Sequence, residues 1–84
     1  MKLIFCPYCE DVVKLTRYDR SCICGASGGK YLEDGLHAEI RGKAVPVGID
    51  NRSFVEALKL YEVGLNHNIT AFLISKDSDR VKKV

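Results

Sequence analysis

All four cysteines of the chain sit in two close pairs, Cys6-Pro7-Tyr8-Cys9 and Cys22-Ile23-Cys24-Gly25, with twelve residues between the pairs. A thiol placed this way can ligate a metal, exchange with a disulfide or form one, and the redox compartment decides among these roles. The N-terminal apolar run Leu3-Ile4-Phe5 is too short for the core of a secretory signal, and only five residues precede Cys6, too few for a lipoprotein signal. The expected location is therefore the cytoplasm, where thiols stay reduced and paired spacings point to metal binding or catalysis. Zinc takes four soft ligands in a tetrahedron, and a CxxC turn presents two sulfurs on one side of the ion. Two such turns complete the shell. The expected metal ligands are Cys6, Cys9, Cys22 and Cys24, holding one structural Zn²⁺, with Gly25 letting the backbone curl round the second turn. The CxC half is shorter than the usual CxxC.

The elements that must hold these turns have little else to rely on. Eighty-four residues lie near the lower limit at which a core alone sustains a fold, so a staple is expected. With 46% hydrophobic and 29% charged residues the chain is globular rather than disordered. A formal charge of +2 is a faint pointer to nucleic acid. Four thiolates around one Zn²⁺ carry about −2, which brings the total close to neutral.

In chain order, Lys2–Phe5 reads as a strand delivering Cys6, and Pro7 presets the first turn. In Asp11–Thr16, Val13 and Leu15 alternate with Lys14 and Thr16 as in a strand; a helix through Val12, Leu15 and Tyr18 is the alternative. Arg17–Arg20 is a polar turn. Gly25–Gly29 reads as a flexible stretch closing the metal module and leading to a strand at Lys30–Glu33. Asp34-Gly35 signals a two-residue hairpin into a strand with Leu36, Ala38 and Ile40 on one face. Gly42-Lys43 offers a second tight turn into Ala44–Ile49, which Pro46 assigns to a sheet edge. A helix follows, opened by a capping box of Ser53 and Glu56, with a core stripe of Phe54, Leu58, Tyr61 and Leu65 and a stop at Gly64. Asn66–Asn68 is a loop, Ile69–Ser75 a central strand buried on both faces, and Lys76–Val84 a charged segment that frays. These readings give an α+β, β-rich single domain over residues 1–84. Within it, a zinc-ribbon module (1–29) packs on a small antiparallel sheet with one helix (30–76), and 77–84 is a flexible tail.

The N-terminal third resembles the zinc-ribbon families, on Phe5-Cys6-Pro7-Tyr8-Cys9, the Val12–Thr16 strand and Ser21-Cys22-Ile23-Cys24-Gly25. The resemblance implies that the four cysteines occupy the ribbon's ligand positions. Most of the chain is also similar to a group of small, uncharacterised bacterial or phage proteins that run from a CxCG turn into a Gly-Gly-Lys-Tyr-like strand. Cys6-Pro7-Tyr8-Cys9 resembles, in addition, the active-site motif of glutaredoxins, with Val45-Pro46 comparable to their Val-Pro. That likeness implies a thiol-disulfide oxidoreductase with Cys6 as nucleophile and Cys9 as resolver. Three features oppose it: no convincing amphipathic helix follows Cys9, the chain has a strand near its C-terminus where that fold has helix, and Cys22 and Cys24 have no assigned purpose. Rubredoxin-like iron fits less well, because both turns of that site are CxxCG.

Other features have ordinary readings. Gly25–Lys30 lacks the G-x4-G-K spacing of a phosphate loop, and Tyr31 stands where Ser or Thr would hold Mg²⁺. His37 and His67 read as solvated side chains. Asn51-Arg-Ser53 and Asn68-Ile-Thr70 match a glycosylation pattern that has no meaning in the cytoplasm. Phe5, Tyr8, Tyr18 and Tyr31 near Lys14, Arg17, Arg20 and Lys30 suggest a stacking and phosphate-contacting surface, with packing around the metal turns as the simpler explanation. A shell filled by four protein thiolates leaves no position for substrate, and no acid, base or nucleophile is assigned elsewhere. The sequence thus points to a non-enzymatic adaptor or regulator that binds another protein, or else nucleic acid, and not a membrane.

Overall fold

The computed structural model describes all 84 residues as eight strands and one helix. The strands are β1 (Lys2–Phe5), β2 (Val12–Lys14), β3 (Arg20–Ser21), β4 (Ser27–Tyr31), β5 (Ala38–Gly42), β6 (Val45–Ile49), β7 (Ala71–Leu73) and β8 (Val81–Lys83), with α1 (Asn51–Glu62) between β6 and β7. They form two four-stranded sheets, ordered β2-β1-β6-β7 and β3-β4-β5-β8. The first is antiparallel throughout; the second is mixed, because β8 runs parallel to β5. The fold is thus β-rich α+β with a single helix, as the alternation patterns imply. No helix is long and apolar enough to cross a membrane.

The chain passes from one sheet to the other three times, after β2, β5 and β7. Residues 1–29 therefore do not build a sheet of their own: β1 pairs with β6, and β4 pairs with β5. The β5–β6 passage turns at Gly42, whose φ of +68° lies in the left-handed region. A Cβ there would stand 2.0 Å from the Ala26 carbonyl oxygen, the same oxygen that accepts from the Lys43 N–H at 3.0 Å. Only glycine satisfies both demands. Gly42-Lys43 is thus the tight turn its sequence suggests, placed at a corner between the two sheets.

The core lies where the sheets meet. Ile4, Cys6, Val13 and Leu15 come from the first sheet and its flanks, Cys22, Ala38, Ile40 and Val81 from the second and its flanks, and Ala44 from the corner. Period-2 alternation explains the pairing, since Ile4 stands opposite Val13 and both are buried. The backbone N–H of Lys2 donates to Tyr31 Oη at 2.9 Å, and Lys2 Nζ lies 5.5 Å from the same ring's centroid, tying β1 to β4.

Several expectations need correction. The Gly25–Gly29 stretch is largely strand: Ser27, Gly28 and Gly29 open β4 and are buried. Gly28 leaves room for the Arg41 guanidinium, which lies against it and pairs with Asp19. The β4–β5 connection is longer than a two-residue hairpin. It is closed by the Leu32 N–H to His37 carbonyl bond, with Asp34 Oδ1 accepting from the Leu36 and His37 N–H groups at 2.9 Å each. The helix starts three residues early in sequence terms, because Asp50 is the N-cap and accepts from the Ser53 N–H at 3.1 Å. Ser53 instead donates its hydroxyl to the Asp50 carbonyl and accepts from the Thr70 N–H.

Edge and interior are exchanged between β6 and β7. Pro46 lies on an interior strand, flanked by β1 and β7. Its carbonyl accepts from the Ile74 N–H, just beyond the last β7 residue, so its missing N–H falls where that ladder ends and costs nothing. The run Ile69–Ser75 yields only a short edge strand with Ala71, Phe72 and Leu73 all exposed. The C-terminal segment is paired and not frayed: β8 aligns Val81 with Ala38, and Val81 is buried. Of the expected helix core stripe, Phe54 is half-buried and Leu58, Tyr61 and Leu65 are exposed. Ala57 is the buried helix residue.

Candidate metal centre

Each cysteine pair sits at the turn of one hairpin. β1 and β2 carry Cys6 and Cys9 between them, and β3 and β4 carry Cys22 and Cys24. The first turn is closed by the Glu10 N–H to the Cys6 carbonyl at 2.7 Å and by the Cys6 N–H to the Asp11 carbonyl at 3.0 Å. The second is closed by the Gly25 N–H to the Cys22 carbonyl at 3.1 Å and by the Cys22 N–H to the Ser27 carbonyl at 2.9 Å. Both turns exit through a left-handed residue, Glu10 at φ +58° and Gly25 at φ +80°. The CxC spacing is thus no obstacle. The second turn closes with glycine where glycine is favourable, and the first closes with a glutamate that bears the backbone strain.

The two turns are locked together. Asp11 Oδ2, from the first hairpin, accepts the Ile23 N–H of the second at 3.1 Å. The four Sγ atoms all lie within 4.8 Å of one another, and Cys24 Sγ stands 3.7 Å from Cys6 Sγ and 3.6 Å from Cys22 Sγ. Sulfurs ~2.3 Å from a tetrahedral centre stand ~3.8 Å apart. All four cysteines are free thiols, and these separations far exceed a disulfide's ~2.05 Å bond. The cluster therefore brings together every residue expected as a ligand, two from each sheet.

The cluster's electrostatics favour a cation. Ser27 Oγ is buried and finds no hydrogen-bond partner of full geometry. It lies beside Cys6, and with the Cys9 N–H it holds that thiol well below the usual range, at about 6. Burial opposes the Cys22 thiolate, but the Ser27 N–H and Cys24 outweigh it and lower that thiol too. The Ala26 N–H favours a Cys24 thiolate, yet burial and the neighbouring Cys22, Cys9 and Cys6 sulfurs push Cys24 up to about 12. Four sulfurs this close cannot all ionise beside one another unless a positive charge stands among them. The four-sulfur donor set therefore fits a thiophilic divalent metal.

Neither Ser27 nor Asp11 is singled out by the sequence. Ser27 is hidden in a glycine-rich stretch that reads as a turn, and nothing local in the chain marks Asp11 as reaching the second hairpin twelve residues on. His37 pairs with Asp34 at the β4–β5 loop, and His67 with the Asn68 carbonyl, both apart from the cysteines. Of the supposed stacking surface, Arg17, Lys30 and Tyr31 line one cleft. Tyr8 is at the first cysteine turn, Tyr18 is in the β2–β3 connection, and Tyr31 is engaged with Lys2. The cleft lined by Arg17, Lys30, Tyr31, Leu32, Glu33, Asp34 and Glu39 shares no residue with the cluster.

Fold and site together define a small β-rich α+β protein with a four-cysteine cluster close enough to hold a metal ion. The chain matches no family model, no curated protein and no solved structure. The zinc-ribbon and glutaredoxin resemblances therefore rest on their motifs alone.

Proposed function

We propose that the protein is a non-enzymatic adaptor or regulator in which Cys6, Cys9, Cys22 and Cys24 hold one structural Zn²⁺, and that it works by binding another macromolecule. The observation that carries this reading is the convergence of four sulfurs from both sheets within 4.8 Å. A four-thiolate shell has no open position for water or substrate, so the metal's contribution is to folding. A protein partner is favoured over nucleic acid, because apolar side chains stand exposed in number.

The oxidoreductase alternative would use the low thiol value of Cys6. Two observations favour the structural reading over it. Cys6 is fully buried, with 0% exposure, and the chain after Cys9 enters β2 and not a helix whose N-terminus would stabilise a reactive thiolate.

The test is metal content per chain on untagged, reductively purified protein, with circular dichroism before and after chelation. One zinc per chain and loss of structure on chelation are expected. A metal-free, folded protein in which Cys6→Ser abolishes disulfide reduction and Cys22→Ser does not would replace this reading with the oxidoreductase.

A further inference from the structure

The molecule has four sheet edges, and three carry charge. β2 presents Lys14, β3 presents Arg20, and β8 presents Lys82 and Lys83. Charged side chains on an edge strand discourage pairing with another chain. β7 has none: Ala71, Phe72 and Leu73 are apolar and exposed. The whole run from Gly64 to Ser75 lacks any Asp, Glu, Lys or Arg.

The backbone of this edge is free to pair. β7 is joined to β6 by the register Val47↔Leu73, Gly48↔Phe72 and Ile49↔Ala71. Ile74 donates inward to Pro46, so Phe72, two residues earlier, also directs its amide and carbonyl toward β6, while those of Ala71 and Leu73 point outward. An antiparallel two-fold about Phe72 would place Ala71 of each copy opposite Leu73 of the other, each pair exchanging two backbone hydrogen bonds.

Beside this edge lies an apolar groove between the helix and the segment returning to β7, lined in part by Leu58, Tyr61, Leu65 and Ile69. Together with Phe72 and Leu73 these side chains are 42% to 75% exposed. At roughly 150–200 Å² for each large side chain, the six expose on the order of 600 Å², divided between the two faces of the sheet because Phe72 and Leu73 alternate along the strand, against ~800 Å² per partner in a standard interface. A two-fold sets each surface against its own image, which like charges would oppose; this uncharged edge meets no such opposition.

We infer that β7 and the adjoining helix groove are the interface of a homodimer, in which two copies of the four-stranded β2-β1-β6-β7 sheet join edge to edge through β7. The interface uses no cysteine and is independent of the proposed zinc.

Sedimentation velocity of the 84-residue, metal-loaded protein across about 1 to 500 μM, with metal content measured on the same samples, tests it. A monomer–dimer equilibrium is expected. Leu73→Lys adds a charge to the exposed edge, and Ala71→Pro removes an outward N–H; each should weaken the dimer at least tenfold while leaving circular dichroism and metal content unchanged. A monomer throughout that range would overturn the inference, as would a dimer indifferent to either folded variant. Open-ended association, or a monomer that captures an extended peptide from another protein on β7, would also overturn the assignment to a second copy.

Discussion

The two ends of the molecule are built on opposite principles. At the sheet junction Ile4, Val13, Leu15 and Ile40 are buried around the cysteines, and Ile4 and Cys6 are both 0% exposed. At the α1–β7 end side chains as large or larger, among them Tyr61, Leu65, Phe72 and Leu73, lie in the open. Apolar residues thus do not mark the interior by themselves. In a chain this short the interior forms where strands cross between sheets and thiols converge, and the remaining apolar side chains stay exposed.

The contrast can be broken most sharply at the cysteines. Cys22→Ser should cost most of the metal's contribution, on the order of 10 kcal/mol for a structural zinc site, and leave the chain unfolded or expanded by circular dichroism. The next largest effect separates the two ends directly. Ile4→Ala should destabilise by about 2–5 kcal/mol in denaturant unfolding, whereas Leu58→Ala, on the open helix face, should change monomer stability by less than ~0.5 kcal/mol. Similar values for the two would erase the distinction.

A smaller effect compares the turns. Glu10→Gly relieves the left-handed strain at the first and should raise stability by about 1 kcal/mol, while Gly25→Ala should lower it by a similar amount at the second. Metal stoichiometry should stay the same in both. The smallest effect lies away from the junction. The His37 and Leu36 N–H groups and the His37 ring hold the Asp34 carboxyl down at about 2, below the ordinary 3.8. A depressed carboxyl contributes stability above its unfolded value and loses it as pH falls through the folded one. The melting-temperature difference between the wild-type protein and Asp34→Ala should therefore hold steady from pH 7 to about 4 and fade toward pH 2.

The legible parts of the fold were those set by local pattern. Alternation marked Val13 and Leu15, and Ala38 and Ile40, as buried strand positions. Gly64, at φ +82°, ends the helix as its position suggests. Cysteine spacing brought out the full cluster. Tertiary context decided the remainder. Pro46 lies on an interior strand because its neighbour β7 stops before the ladder would require its N–H. Val81 is paired because β5 offers it an edge, which nothing within Lys76–Val84 announces. The stripe Phe54-Leu58-Tyr61-Leu65 is an amphipathic face, but periodicity gives the direction of a face and not its covering.

If one metal joins the two sheets, amide hydrogen exchange on the zinc-loaded protein, followed residue by residue before and after chelation, will show it directly. The amides of β1 in one sheet and of β4 and β5 in the other should be protected together and lose that protection together when the metal is withdrawn. Retention of both sheets' protection without metal, or loss confined to the two cysteine turns, would contradict it.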